Sequence, residues 1–273
     1  MQETLRSVVK PWELDSVEHF TTAYYFRALS TATMRMLGEL GWEAGDGAAP
    51  WTEHCRTRFF KELNKGDAYH VDSGLVETDG EHLLLGHNLY NSETGVLCTS
   101  FLQRLKGAAN RDDLPERIEW PDREAERKAR TGPGAKWVET SKTVVRPENL
   151  DGRGLLDLSS LIHHCSDGNV QMQNAIGMTS SYMRDNRIGY STAEYHLDCA
   201  GPPPPLGTAL ETRSTVAHLG NTSLWILHEI RDASRNKPFA TLAQFGVHLD
   251  MEARRPAPVP DPIRERASAL MGA

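Results

Sequence analysis

The stretch Val8–Leu40, VVKPWELDSVEHFTTAYYFRALSTATMRMLGEL, decides how this chain reads. It opens as the end of a strand, passes through a polar turn carrying Asp15, Glu18 and His19, and continues as a long, mostly apolar helix. Thr21 or Thr22 is placed to cap that helix, because a hydroxyl there accepts from an orphan N–H of the first turn. Tyr25, Leu29, Ala32, Met36 and Leu40 recur at three- and four-residue steps and form one apolar face. Phe26, Met34 and Leu37 widen the stripe, which predicts a largely enclosed helix. Gly38 and Gly41 mark its end.

The stretch has an echo. Val144–Asp151, VVRPENLD, aligns with Val8–Asp15, VVKPWELD, at an offset of 136 residues. Further on the offset is 141, pairing Gly66 with Gly207, Leu83 with Leu224, His87 with His228 and Gln103 with Gln244. The five extra residues are expected at Cys165–Asn169, as a turn interrupting the second helix. Two registered matches in the same order argue for an internal duplication of about 110 to 140 residues. A two-copy repeat of that length is a fused pair of domains rather than a solenoid.

Strands are expected over residues 4–11, 51–63, 68–78, 81–91 and 96–105. Asp79-Gly80 and Ser92–Gly95 supply hairpin chemistry between the last three. One helix followed by an antiparallel meander is an α+β pattern. The second copy repeats it, with a strand over 136–146, helical segments over 155–164 and 170–184, and strands over 189–199, 208–219, 223–232 and 238–251. The organisation expected is a first unit over 1–106, a charged linker over 107–135, a second unit over 136–252 and an extended C-terminal tail over 253–273, ending in a loose helix. Gly45–Pro50 reads as a flexible loop, and Glu124–Arg130 as a short solvated helix.

The 273 residues carry a formal charge of −7, which gives no general attraction to nucleic acid or to an anionic membrane. The four cysteines, Cys55, Cys98, Cys165 and Cys199, are widely spaced and form no C-x-x-C pair, so they read as reduced thiols of a cytoplasmic protein. No apolar run approaches membrane-spanning length, and MQETLRSVVK lacks a signal core. Walker, G-x-G-x-x-G and G-x-S-x-G patterns are absent, which removes support for nucleotide hydrolysis, a Rossmann cofactor or a serine esterase.

The pattern D-x-x-x-H-F-T-T-A-Y-Y-F, Asp15 to Phe26, resembles the D-x-x-G-H-x-N-N-A-x-Y signature of hotdog-fold acyl-CoA thioesterases of the 4-hydroxybenzoyl-CoA type. Gly207 before a strand, Leu219-Gly220-Asn221 before another, and the closing Arg254–Asp261 are similar to the same family. So are Leu114-Pro115 and Trp120-Pro121 at the end of the first copy. Glu18 stands where the signature has glycine, and Thr21-Thr22 where it has two asparagines. In the second copy Asp151 and Gly154 match, while Leu155 replaces the histidine. The resemblance implies a double hotdog: two units, each a long helix wrapped by a curved antiparallel sheet, side by side in one extended sheet. It implies an acyl-CoA or acyl-carrier protein as substrate, with coenzyme A or phosphopantetheine as part of that substrate rather than a cofactor. The fused halves are expected to form within one chain the assembly that single-unit relatives build by dimerising, and a homodimer of such chains is the further assembly considered.

Thioester hydrolysis needs a carboxylate to attack the carbonyl or activate water, and donors for the developing oxyanion. A helix N-terminus supplies the second. The catalytic candidates are Asp15, His19 and Asp151, with Asp15 as the working carboxylate and the two halves unequal. Glu18, Thr21, Thr22, Tyr24, Tyr25, Arg56 and Arg58 are the substrate-binding candidates, the two arginines for coenzyme A phosphates. Each has a plainer reading. Asp15 caps a turn, His19 is a hydrogen-bonded surface group, Tyr24 and Tyr25 are core, and the arginines are a solvated sheet face. His163-His164-Cys165 points in different directions along a helix and lacks a full ligand set, so no metal site is expected. Two rival functions remain: a hotdog dehydratase or hydratase, from His19-Phe20, and a non-catalytic acyl-binding protein.

Overall fold

The computed structural model describes residues 1–15, 18–42, 50–107, 115–121, 131–234 and 237–272. Most of the loop expected over Gly45–Pro50, the helix expected over Glu124–Arg130, and Leu114 lie outside the described residues.

The first copy runs β1 (Gln2–Val8), α1 (Thr22–Glu39), β2 (Trp51–Phe59), β3 (Ala68–Thr78), β4 (His82–Asn91) and β5 (Leu97–Lys106). The second runs β6 (Val138–Val144), α2 (Leu158–Ile176), α3 (Ser180–Asn186), β7 (Ile188–Cys199), β8 (Ala209–Leu219), β9 (Ser223–Asp232) and β10 (Lys237–Asp250). The short β11 (Arg255–Pro256) and α4 (Asp261–Met271) follow it. The strands of the first copy lie in the order β1-β3-β4-β5-β2 and those of the second in the order β7-β10-β9-β8-β6. The pairs β1–β3, β3–β4, β4–β5, β5–β2, β10–β9, β9–β8 and β8–β6 are antiparallel. This is the double-hotdog α+β architecture.

The chain divides into two compact units. The first takes in residues 1–126 together with 145–163 and 199–206; the second takes in 127–144, 164–198 and 207–273. In the first unit α1 packs on β1 and β3. Phe26 and Leu29 are 0% exposed, and burying a side chain of that size contributes about 1.5–3 kcal/mol. Met36, Leu37, Leu40 and Trp42 meet Leu75, Leu83, Leu85 and Leu105 of the sheet. The helix is not enclosed all round, because Met34 is 47% exposed and Arg27, Thr31 and Arg35 face solvent on the same side. The opposite face of the sheet is covered by the segment before Asp122. A Cβ at Gly74 would press on Ile118, and one at Gly86 would collide with the Trp120 indole.

The second helix corrects the expected interruption. Cys165–Asn169 is not a turn, since α2 is continuous from Leu158 to Ile176. The helix keeps the 136 offset to its end, where Gly41 and Gly177 both hold positive φ, of 80° and 92°. Thr52 and Thr192 make equivalent bonds to Gln103 and Gln244 at an offset of 140. Most of the extra residues therefore sit where α3 has been added. Gly168 lies within the helix, and a side chain there would crowd Thr140, Thr212 and His228.

The second unit packs Met172 and Ile176 of α2 on Val216, Leu224 and Ile226, and the closing helix α4 joins that core through Ile263 and Ala267. The end of the chain is thus a seated helix rather than a loose one. Both units carry the same buried polar chain. In the first, Thr4 Oγ1 and Ser73 Oγ are 2.6 Å apart and Ser73 Oγ is 2.7 Å from His87 Nδ1. In the second, Thr140, Ser214 and His228 repeat these contacts at 2.8 and 2.7 Å. Burial pushes the His87 pKa down to about 3 and that of His228 to about 4, partly offset by Gln103 and Gln244.

Candidate active site

Two short turns, one per copy, precede the two long helices, and both belong to the first compact unit. In the first, Asp15 N–H donates to His19 O at 2.8 Å, Glu18 N–H to Asp15 O at 3.2 Å, and His19 N–H to the Asp15 carboxylate at 3.0 Å. The chain reverses so tightly that Glu18 takes φ 64°, a left-handed conformation that favours glycine. Phe20 then anchors the turn. It is 4% exposed, and its ring centroid lies 4.6 Å from Tyr25 and 5.5 Å from Tyr69. Phe20 N–H donates to Leu63 O at 2.8 Å, and Thr21 N–H to Glu13 O at 3.0 Å. This holds Asp15 and Glu18 exposed at the mouth of α1. His19 is half-buried beside them, with Nδ1 3.8 Å from a Glu62 carboxylate oxygen.

The second turn is built the same way. Asp151 N–H donates to Leu155 O at 2.8 Å, Gly154 N–H to Asp151 O at 3.0 Å, and Leu155 N–H to the Asp151 carboxylate at 3.2 Å. Gly154 holds φ 76°, where the first copy has Glu18. The surroundings differ. Arg153 grips Asp151 through Nε at 2.9 Å and a second guanidinium nitrogen at 2.6 Å, and its Nη1 donates to Pro50 O at 3.1 Å. Asp157, 136 residues after Thr21, caps α2, its Oδ1 accepting from Ser159 N–H at 2.8 Å and Ser160 N–H at 3.1 Å. Both serine hydroxyls donate to the same carboxylate, at 2.7 and 2.6 Å. Leu155, Leu156 and Leu158 follow Asp151 in the sequence and offer it no polar side chain, yet the folded turn does not lack polar partners. Its partners occupy one another.

At α1 the Thr21 hydroxyl does not cap the helix. Thr21 is the N-cap residue but makes no side-chain capping hydrogen bond; its carbonyl accepts from Tyr24 N–H at 3.0 Å instead. Thr21 and Thr22 are both half-buried at the helix start. Tyr25 is 3% exposed, with its hydroxyl accepting from Leu63 N–H at 3.0 Å and its phenol pKa pushed up by burial. Tyr24 is half-buried on the neighbouring face and meets the His163 imidazole edge-on, centroids 5.4 Å apart.

Arg56 and Arg58 share one face of β2, as their spacing requires. That face is the one away from α1, because the alternate residue Phe59 meets Tyr25 of the helix at 5.5 Å. With Phe60, Asn88, Ser100 and Trp120 they line a cavity of about 120 Å³. The structure thus does not bring them to the helix start through their own strand face. Among the described residues no group of three or more His, Cys, Asp or Glu side chains is arranged to hold a metal ion.

Sequence reasoning missed Arg153 and Asp157 as the groups that distinguish the two turns, and it weighed His163 only as a metal ligand. Carrying the 136 offset two residues beyond Leu155 would have set Asp157 opposite Thr21.

A family model described as the thioesterase-like superfamily matches the chain twice, over residues 9–122 and 145–267. No curated protein sequence matches it. Among solved structures it is similar to the 12:0-ACP thioesterase from Umbellularia californica, at 10% identity and a TM-score of 0.65, covering 89% of this chain and 94% of that one. A putative oleoyl thioesterase from Lactobacillus plantarum aligns at 6% identity and a TM-score of 0.66, covering 90% and 95%. The tesB protein of Mycobacterium avium subspecies paratuberculosis aligns at 10% identity and a TM-score of 0.56, covering 90% and 93%. At these identities the likeness is one of fold.

Proposed function

The chain belongs to the thioesterase-like superfamily, and from that we propose that it hydrolyses the thioester of an acyl-CoA or acyl-carrier protein at the start of α1. Asp15 acts as base or nucleophile. As a base it takes a proton from water while the water oxygen bonds to the carbonyl carbon. Backbone N–H groups at the helix start hold the oxyanion, aided by the positive end of the helix dipole. The C–S bond then breaks, and the departing thiolate takes the proton that Asp15 accepted, returning the carboxylate, with His19 positioned to assist. Coenzyme A or phosphopantetheine leaves as part of the substrate, and no cofactor is required.

The observation that carries this reading is the difference between the two helix starts. At α2 the Asp157 carboxylate already occupies the first-turn N–H groups. A fixed negative charge there opposes an oxyanion. At α1 the equivalent residue is Thr21, which places no charge and no capping hydroxyl on the helix. The aspartates also differ: the Arg153 guanidinium holds Asp151, while Asp15, whose carboxylate accepts from His19 N–H, is exposed at the mouth of α1.

A thiol-release assay over a panel of acyl-CoAs and an acylated carrier protein tests the activity. Asp15→Asn keeps the oxygen that accepts from His19 N–H, so the turn should persist while turnover falls by several orders of magnitude. Asp151→Asn should retain most of the activity. The reverse result would move the site to the second copy. The turn-closing bond that both aspartates make favours one rival, a non-catalytic acyl-binding protein. Thermal stabilisation by an acyl-CoA without thiol release would establish that rival.

A further inference from the structure

Three aromatic rings crowd the start of α1, and they have different fates. Phe20 is 4% exposed and Tyr25 3%, whereas Tyr24 is only half-buried. Three groups fix that ring. Phe20 stacks on it at 6.2 Å with an interplanar angle of 23°, the Arg27 guanidinium lies 6.0 Å from its centroid, and the His163 imidazole meets it edge-on at 5.4 Å and 85°. Arg27 and His163 are the same position of the repeat, 136 residues apart. The duplication has therefore brought one side chain from each long helix to a single tyrosine. In the second copy the residue equivalent to Tyr24 is Ser160, which donates to Asp157 and offers no ring.

We propose that His163 is a positioning residue of the α1 site: it holds the Tyr24 ring as the wall against which the acyl group of the thioester lies. The proposal rests on the thioesterase reading and adds the group that sets acyl selectivity. A half-buried tyrosine at the helix start where the oxyanion is proposed to form suits an apolar ligand segment, because aromatic rings bury area without losing much conformational freedom. An edge-to-face partner fixes the rotamer and keeps the ring from closing over the site. The bonds that close the Asp15–His19 turn run through backbone groups and the Asp15 carboxylate, and the Tyr24–His163 contact is a separate one. Removing His163 should therefore weaken binding of the acyl part and leave the chemical step alone.

The test is His163→Ala and His163→Phe in the full chain, with steady-state kinetics on acyl-CoAs of increasing length. For the alanine variant KM should rise about threefold to tenfold for long acyl chains, matching an aromatic pair contact of about 0.5–1.5 kcal/mol. The effect should shrink for short chains, with kcat within about twofold, and phenylalanine should restore KM by restoring the ring edge. An unchanged KM at every length would overturn the proposal. A fall in kcat at constant KM would also overturn it, by giving His163 a part in proton transfer. Calorimetric binding of a non-hydrolysable acyl-CoA thioether separates the two readings. If wild type binds the thioether without releasing thiol from the thioester, hydrolysis fails, and weaker thioether binding by the alanine variant still supports the role of His163. If wild type binds nothing, both fail.

Discussion

Glu18 shows how one residue carries both the family pattern and a departure from it. The turn from Asp15 to His19 needs a left-handed residue at its fourth position, and the second copy meets that need with Gly154 at φ 76°. The first copy puts a glutamate there at φ 64°. A Cβ in that conformation costs roughly 1–2 kcal/mol, reduced in exchange by the larger unfolded-state entropy that glycine would bring. Glu18→Gly should therefore stabilise the protein by up to about 1 kcal/mol, seen as a rise of a few degrees in Tm. A fall in Tm would mean that the Glu18 carboxylate makes a compensating interaction. The aspartates and the histidine were legible in the sequence because the repeat aligns them. The strain was not, because the backbone angle at residue 18 is fixed by the Asp15–His19 bonds rather than by Glu18 itself. Tyr24 and Tyr25 were indistinguishable as letters. Only the helical rotation that carries Tyr25 to Leu63 and Tyr24 to His163 separates them.

Strands and helices were read best where local chemistry marks both ends. β3 runs over Ala68–Thr78 as expected, bounded by the turns at Gly66 and Gly80, which hold φ of 84° and 87°. The second helix was misread because Gly168 within Cys165–Asn169 looks like a breaker, and its reason for being glycine is the tertiary approach of Thr140, Thr212 and His228. That same approach sets α2 against the buried chain Thr140–Ser214–His228, and Thr4–Ser73–His87 repeats that chain in the first unit. Both histidines have folded pKa values below the ordinary one, at about 3 and about 4, because burial penalises the cation. Below about pH 6.5 the unfolded chain binds protons that the fold refuses, so the sign is a loss of stability on acidification. Each neutral histidine should cost about 1.4 kcal/mol per pH unit between about pH 6.5 and its folded pKa, and nothing above that window. Urea unfolding from pH 7 to 4.5 measures the slope. His228→Asn, which keeps a hydrogen-bonding group near Ser214, should reduce the slope by about one histidine's share. An unchanged slope would show that other groups govern acid unfolding.

At the scale of the whole chain, the repeat announced two copies, but the boundary between compact units does not follow the boundary between copies. The first unit contains the first copy and also residues 145–163 and 199–206 of the second. The bonds that tie these segments in are specific. Arg153 Nη1 donates to Pro50 O at 3.1 Å, and His163 meets Tyr24 at 5.4 Å. Leu156 N–H donates to Pro204 O at 2.9 Å, so the turn of the second copy is itself braced by the segment before Gly207. Sequence periodicity marks elements and repeats, but such exchange depends on contacts far apart along the chain and leaves no periodic trace. The exchange makes a prediction about cutting the protein. A fragment of residues 1–134 keeps every strand of the first copy, yet loses the segments that complete its unit. Expressed alone, it should fail to give a monomer with a cooperative urea transition, and should aggregate or associate. Co-expression with residues 135–273 should restore a soluble one-to-one complex, read by size-exclusion chromatography with light scattering. A stable, cooperatively unfolding monomer of 1–134 would show that the first copy folds by its own contacts. The Tyr24–His163 contact would then be an addition to a finished domain rather than part of what completes it.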